Sequence, residues 1–169
     1  MRFFLMVLLL LLQGCGIYSF SGISLPPEAK TFSLRVQSDI SLGPPDLAMR
    51  LQQQLGDVLV QRTTLKQVNT QEGLQLEGSI KRFAYTSIAP TQGSQGGKGY
   101  QAAMERLTIE VQLSYINPYD QDTSFSKKTL VQYADMDASA NKSSEETRLI
   151  DDIFEKLVED IFTETIAGW

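Results

Sequence analysis

The side chains that most enzymes use for catalysis are scarce in this chain. It contains no histidine, and Cys15 is its only cysteine. Without histidine the chain lacks the usual general base, the commonest metal ligand and the group that activates a serine or cysteine nucleophile. A single cysteine forms neither an internal disulfide nor a cysteine-rich zinc site. These absences exclude most familiar enzyme classes before any motif is considered.

Two other patterns could in principle form a binding site, but both match known motifs poorly. The carboxylates of Asp135, Asp137, Asp151 and Asp152 have a spacing that matches no calcium-binding loop. The glycine-rich run Gly96-Gly97-Lys98-Gly99 lacks the Ser or Thr and the helix start that hold a phosphate, and its composition is typical of a flexible loop. We therefore expect no metal ion, no cofactor and no enzymatic activity.

Basic residues on neighbouring predicted strands form the remaining candidate site. They are Lys81, Arg82, Arg106, Lys127 and Lys128. If these side chains share the sheet face that the helices leave open, they could bind an anionic glycolipid. The alternative is an ordinary solvated sheet face of mixed charge, because the sequence does not give the register between the strands.

The first fifteen residues have the pattern of a bacterial export signal. Arg2 precedes ten apolar residues, Phe3–Leu12, which as a helix span about 15 Å of a roughly 30 Å membrane core and are too short to cross it. The ending Leu12-Gln13-Gly14-Cys15 resembles the lipobox of bacterial lipoproteins, in which the chain is cut before the cysteine and the cysteine is acylated. We expect a signal peptide over residues 1–14 and lipidation of Cys15, palmitate included. The alternative is an ordinary signal peptide with a spare cysteine, or a buried N-terminal strand.

The overall charge restricts the partners. The chain has 169 residues with 15 Lys and Arg against 20 Asp and Glu, a net charge of −5. Such a chain lacks the general basic face that nucleic-acid binding requires. It also gains no attraction to anionic lipid from its net charge, so membrane attachment depends on the acyl chains at Cys15.

The mature chain divides into a tether and one domain. Residues 15–30 are rich in Gly, Ser and Pro and predict a lipidated tether. Residues 31–169 predict a single domain, in which apolar and polar residues alternate over 31–37, 65–68, 74–89, 104–116 and 123–133, as in strands. A shift of phase near Arg82 indicates a β-bulge.

Two segments have apolar residues at helical spacing. The first extends from Leu47 to Arg62, and the second carries a wide apolar stripe from Leu149 to Phe162. Ser143 and Glu146 have the spacing of a capping box at the start of the second helix. The order strand, helix, strands, helix predicts an α+β fold: a four- to five-stranded, mostly antiparallel sheet with two helices packed on one face.

Several short segments, in this order, resemble the LptE-type lipopolysaccharide-assembly lipoproteins of Bacteroidetes-like bacteria. The segments are Cys15–Gly22, Leu74–Gly78, Arg106–Ile109, Tyr133–Ser139 and Leu157–Phe162. No segment is diagnostic alone, but together they cover the chain from the lipobox to its C-terminus.

The resemblance implies a non-catalytic, lipid-anchored subunit of the outer-membrane lipopolysaccharide translocon. Proteins of this kind plug an LptD-like β-barrel, help it assemble and assist lipopolysaccharide insertion at the cell surface. The implied location is the outer membrane, facing the periplasm or within the barrel lumen. Because of their positive charge and their position on the predicted strands, Lys81, Arg82 and Arg106 are the candidate lipopolysaccharide contacts. The alternative is a stand-alone, periplasm-facing lipoprotein that binds an anionic ligand or has a structural role.

Overall fold

The strands and helices of the domain follow one another as the sequence patterns predict. The computed structural model describes residues 25–88 and 103–167; Cys15, most of the predicted tether and the glycine-rich run lie outside these ranges. The strands are β1 (Thr31–Ser38), β2 (Lys66–Gln67), β3 (Leu74–Ile88), β4 (Met104–Ile116) and β5 (Phe125–Asp137). The helices are α1 (Leu47–Arg62) and α2 (Lys142–Phe162). A 3-10 turn, Gln121–Thr123, precedes β5, and a π-helical turn, Thr163–Ala167, follows α2.

The strands form one sheet in the order β2-β1-β3-β4-β5. β1 runs parallel to β2 and β3, whereas β3 with β4 and β4 with β5 are antiparallel. The parallel pairings arise because α1 lies between β1 and the next two strands, and a crossover helix brings the chain back in the same direction. The predicted α+β fold is confirmed, with one correction: β1 makes the sheet mixed rather than mostly antiparallel.

The core lies between the two helices and one face of the sheet. Alternate residues of β4, from Leu107 to Tyr115, are at most 1% exposed. The apolar stripes of the helices cover them with Leu47, Leu51, Leu55 and Leu59 from α1, and Leu149, Ile150, Ile153, Phe154, Leu157, Val158, Ile161 and Phe162 from α2. The other residues of the strands point away from the helices and form what we call the open face of the sheet.

β3 is longer than its neighbour β1. The last pair between the two strands is Ser38 with Ile80, and the register with β4 shifts between Ile80 and Arg82, which confirms the predicted bulge. From Arg82 to Ile88, β3 pairs with β4 alone among the described residues. The turn before β3 contains Gly73 with a φ of +79°, a conformation that residues with a Cβ rarely adopt.

The end of β5 and the start of α2 differ from the predictions in ways that matter for the site and the helix cap. β5 continues to Asp137, four residues beyond the predicted strand 123–133, so Asp135 belongs to the strand. α2 begins after Asn141, whose side chain accepts a hydrogen bond from the Ser143 amide at 3.0 Å. The predicted capping box from Ser143 to Glu146 is therefore wrong, because an earlier asparagine already provides a favourable N-cap.

Neither helix has the length and apolarity that a membrane crossing requires, within residues 25–88 and 103–167.

Candidate functional site: the open face of the sheet

The open face brings cations and carboxylates together across neighbouring strands. In the register, Arg82 of β3 lies opposite Glu110 of β4, and Arg106 of β4 lies opposite Asp135 of β5. Directly opposed side chains on one face are close enough to interact. Arg82 and Arg106 thus lie on one face, each with an acidic residue opposite it in the register.

Lys81 lies at the bulge of β3 and pairs with Asp39, just beyond the end of β1. The same Asp39 carboxylate accepts a hydrogen bond from the Ser79 hydroxyl at 2.7 Å, and the Asp39 amide donates to the Ile80 carbonyl at 3.0 Å. The ammonium of Lys81, and then the Ser79 hydroxyl, lower the pKa of Asp39 below its usual value. An anionic ligand must compete with this carboxylate for Lys81.

Arg106 is held by two neighbours on β5. Its Nε and Nη2 donate to the two carboxylate oxygens of Asp135 at 2.6 and 2.8 Å. The guanidinium lies over the Tyr133 ring, with Cζ 3.6 Å from the ring centroid. The hydrogen bonds from Arg106 lower the pKa of Asp135, and those to Asp135 raise the pKa of Arg106. The planar guanidinium makes both hydrogen bonds to one carboxylate at once, which a lysine at this position would not reproduce.

Arg82 has the most available charge of the three candidates. Its side chain is exposed, and no carboxylate of the described ranges lies within 4.0 Å of it. The partner of Arg106 on β3 is Thr86, four residues from Arg82, so the two arginines stand about 13 Å apart along the strands. The candidates therefore form a row of separated charges rather than one cluster of free cations.

Lys128 does not join this row. Lys128 lies opposite Leu113, on the side of the helices, and pairs with Glu164 after the end of α2. Lys127 has a φ of +57° at the irregularity of β5, where its amide donates to the Ser114 hydroxyl at 3.2 Å.

The solvent side of the helices is mostly acidic. A groove between α1 and α2 is lined by Asp57, Asp151, Asp152, Glu155 and Glu159, with Arg62 and Lys156 among them. Arg62 donates to Glu159 at 2.6 Å, and Arg50 donates to Asp151 at 2.7 Å. Within the described parts of the chain, no three metal-ligating side chains are placed to hold a metal ion. The site chemistry is therefore ionic and hydrogen-bonding.

The sequence of the domain decides its family. Residues 29–165 match the sequence model of LptE, described as lipopolysaccharide-assembly. The chain belongs to the LptE family. This match covers every strand and helix of the domain. LptE proteins are non-enzymatic lipopolysaccharide-assembly lipoproteins, which confirms the expectation that the chain is not an enzyme.

Two solved structures with some similarity to this LptE chain carry the name lipoprotein. A minor lipoprotein from Acinetobacter baumannii is 14% identical with a TM-score of 0.49, over 85% of this chain and 100% of that one. Lipoprotein B from Nitrosomonas europaea is 14% identical with a TM-score of 0.45, over 81% and 85% of the two chains. No curated protein matches the chain. The family assignment accordingly rests on the LptE sequence match alone.

The acidic members of the LptE open face were not identified from the sequence. Asp39 and Asp135 both lie just outside the predicted strands 31–37 and 123–133, so nothing placed either carboxylate beside a basic residue. One signal for Asp135 was present: Ala134 and Met136 alternate with it and are buried, as expected if the strand continues.

Proposed function

We propose that this protein is the lipid-anchored subunit of an outer-membrane lipopolysaccharide translocon, attached through acylated Cys15 and lodged in the lumen of an LptD-like β-barrel. In this role it plugs the barrel, helps it assemble and assists the insertion of lipopolysaccharide at the cell surface. The observation that carries the proposal is the LptE match over residues 29–165.

The surface of the domain is consistent with a polar lumen. Large β-barrels have polar interiors, and the described surface carries ion pairs on both the helix side and the open face, such as Arg50 with Asp151 and Arg106 with Asp135. Its large exposed apolar side chains are spread over the loop before α1, α1, the end of β4, the β4–β5 turn and β5, with no more than two on any one of these segments. A surface of this kind can contact a hydrated wall without burying unpaired charge.

Purification from native membranes tests the proposal. The tagged, lipidated chain is extracted in a mild detergent, and the proteins that co-purify are identified by mass. We expect a stoichiometric outer-membrane barrel of translocon size. A Cys15→Ser chain measures how much of the association depends on the anchor. Recovery of the chain alone in several detergents would refute the plug and favour the stand-alone lipoprotein.

Within this function we propose that Arg82 is the first lipopolysaccharide contact on the open face, followed by Lys81 and Arg106. Because Arg82 has no ion pair in the described ranges, a lipid phosphate need not displace a carboxylate to reach it. Arg35 provides a matched control, since it is exposed on the same face, opposite Glu77. We expect Arg82→Gln to weaken binding to lipopolysaccharide micelles about three- to tenfold. Equal losses for Arg82→Gln and Arg35→Gln would show a general charge effect instead.

A further inference from the structure

β3 has a free edge at the end of the sheet where β1 has already finished. From Arg82 to Ile88 the strand pairs with β4 on one side, and no strand of the described ranges pairs with its other side, which we call the outer edge. Along a strand, alternate residues direct their backbone N–H and C=O groups to opposite sides. About half of the backbone donors and acceptors of this stretch therefore point away from β4, in the geometry that a further strand would match.

Helix side chains contact the backbone of both outermost long strands. The Val36 amide of β1 donates to the Gln52 side chain of α1 at 2.9 Å. On β5, the Tyr133 carbonyl accepts from the Lys156 ammonium of α2 at 3.1 Å. Contacts of this kind satisfy backbone groups and hinder the approach of another strand. Within the described residues, no side chain bonds to the backbone of Arg82–Ile88 in this way.

A mostly apolar groove of about 640 Å³ lies beside the outer edge, between β3 and the loop before α1. The rings of Phe83 and Tyr85 line it from β3; they meet edge to face with their centroids 6.0 Å apart, and both are only partly buried. Leu42, which is 75% exposed, and Pro44 line it from the loop. Phe83 and Tyr85 lie opposite buried residues of β4, so the groove is on the helix side of the sheet. A strand paired with the outer edge would place every second side chain over this groove.

Glu146 of α2 supplies the charge of the groove. Its Oε2 accepts from the Tyr85 hydroxyl at 3.1 Å, and the carboxylate has no ion pair within the described residues. Lys142 lies over the other side of this network, with its Nζ 5.0 Å from the Tyr85 ring centroid, but it pairs with Glu105 at 3.0 Å. Two carboxylates and one ammonium leave one net negative charge. The groove therefore favours a segment that brings a cation together with apolar side chains.

We propose that the outer edge of β3 binds an extended segment of a partner protein, which adds a strand to the sheet and places apolar side chains and one Lys or Arg over Phe83, Tyr85 and Glu146. A second copy of this chain is less complementary, since the groove side of its own free strand presents Phe83, Tyr85 and Ser87 and no cation. Residues 15–24 of this chain contain no charged residue either. The proposal does not depend on the translocon or on lipopolysaccharide.

Peptide binding to the purified mature chain in detergent, at concentrations where sedimentation shows a monomer, tests the proposal. The probe is acetyl-Thr-Val-Thr-Val-Thr-Lys-Thr-amide, whose two valines and lysine share one side of a strand. We expect it to slow hydrogen exchange of backbone amides within Arg82–Ile88 in NMR spectra. The control peptide is N-methylated at the central Val and the following Thr; its side chains are unchanged, but one of the two blocked amides must face β3. We expect the control to bind at least about tenfold more weakly, because a backbone hydrogen bond is lost and a methyl group intrudes.

Glu146→Gln tests the role of the cation. Glutamine still accepts from the Tyr85 hydroxyl but carries no charge, so we expect the lysine peptide to bind about three- to tenfold more weakly, and a peptide with Gln in place of Lys to change by less than about twofold. Glu145→Gln is the matched control, because Glu145 is the preceding residue of α2 and already pairs with Arg148 at 2.7 Å; thermal melts check that both variants fold.

Four outcomes would each overturn the proposal. They are the absence of peptide binding, equal binding of the N-methylated peptide, equal losses in Glu146→Gln and Glu145→Gln, and protection of the same amides by the chain itself without peptide. The last outcome would assign the outer edge of β3 to a second copy of the chain.

Discussion

Replacing Gly73 by alanine is expected to destabilise the domain severely. The φ of +79° is unfavourable for a residue with a Cβ by about 1–2 kcal/mol. A Cβ there would lie 2.3 Å from the Thr31 carbonyl oxygen, which is backbone and can move only if the start of β1 moves. That shift also weakens or breaks the hydrogen bond from the Thr31 hydroxyl to the Glu72 carbonyl, which contributes about 1 kcal/mol. After subtracting about 0.5 kcal/mol for the stiffer unfolded chain, we expect a net loss of about 1.5–2.5 kcal/mol, to which the displacement of β1 adds.

Urea unfolding of the mature chain measures this loss against two other glycines. Gly43 also has a positive φ, but its Cβ would meet the Phe83 ring at 3.1 Å, and a side chain can move; we expect Gly43→Ala to cost about 1–2 kcal/mol. Gly56 lies within α1, where a Cβ would approach the flexible end of Gln67 at 3.2 Å, so helix propensity makes Gly56→Ala neutral or stabilising by up to about 1 kcal/mol. The reasoning fails if Gly73→Ala costs no more than Gly43→Ala.

Three further predictions concern caps, turns and pH. Asn141→Ala should cost about 1 kcal/mol in thermal unfolding, because it removes the N-cap of α2, whereas Ser143→Ala should cost almost nothing. Asn117→Ala should lower the free energy of unfolding in urea by about 2–3 kcal/mol, because it removes the three side-chain hydrogen bonds that order the β4–β5 turn. Burial, with nearby carboxylates, raises the pKa of Tyr85 and of Tyr115 to about 12 from 10.0, so their contribution to stability is complete below pH 10.0 and is lost as pH rises toward about 12. Ultraviolet titration of tyrosinate checks this, and a transition completed below pH 10.0 would contradict it.

The elements of the fold could be predicted where apolar residues recur with a clear helical or strand period. α1 over Leu47–Arg62 and β4 over Met104–Ile116 have the predicted bounds, because each buries one continuous stripe of apolar residues. The direction of β1 was missed for a different reason. Period-two alternation shows which side chains are buried, but it contains nothing about whether the neighbouring strand runs parallel or antiparallel.

The candidate sites depended on contacts that the sequence does not show. The basic residues of β3 and β4 were visible, but the roles of Asp39 and Asp135 require the strand register. A cavity of about 500 Å³ that Tyr115 lines was missed altogether, since it lies between the β4–β5 turn and residues after α2 that are far away in the chain. Its only local signal is an aromatic hydroxyl at a position that alternation assigns to the core, where a hydroxyl needs a partner.

The length of β3 has a consequence for handling the isolated domain. Between Arg82 and Ile88 its outer edge has no strand partner in the described residues, and this stretch contains no proline and no lysine. Natural proteins usually protect such edges with these residues, because an unprotected edge is a template for pairing with another chain. Beside it, Leu42 and Phe83 line a shallow groove. We therefore expect the isolated domain, when produced in quantity, to form concentration-dependent oligomers through this edge, and Thr86→Lys to suppress them.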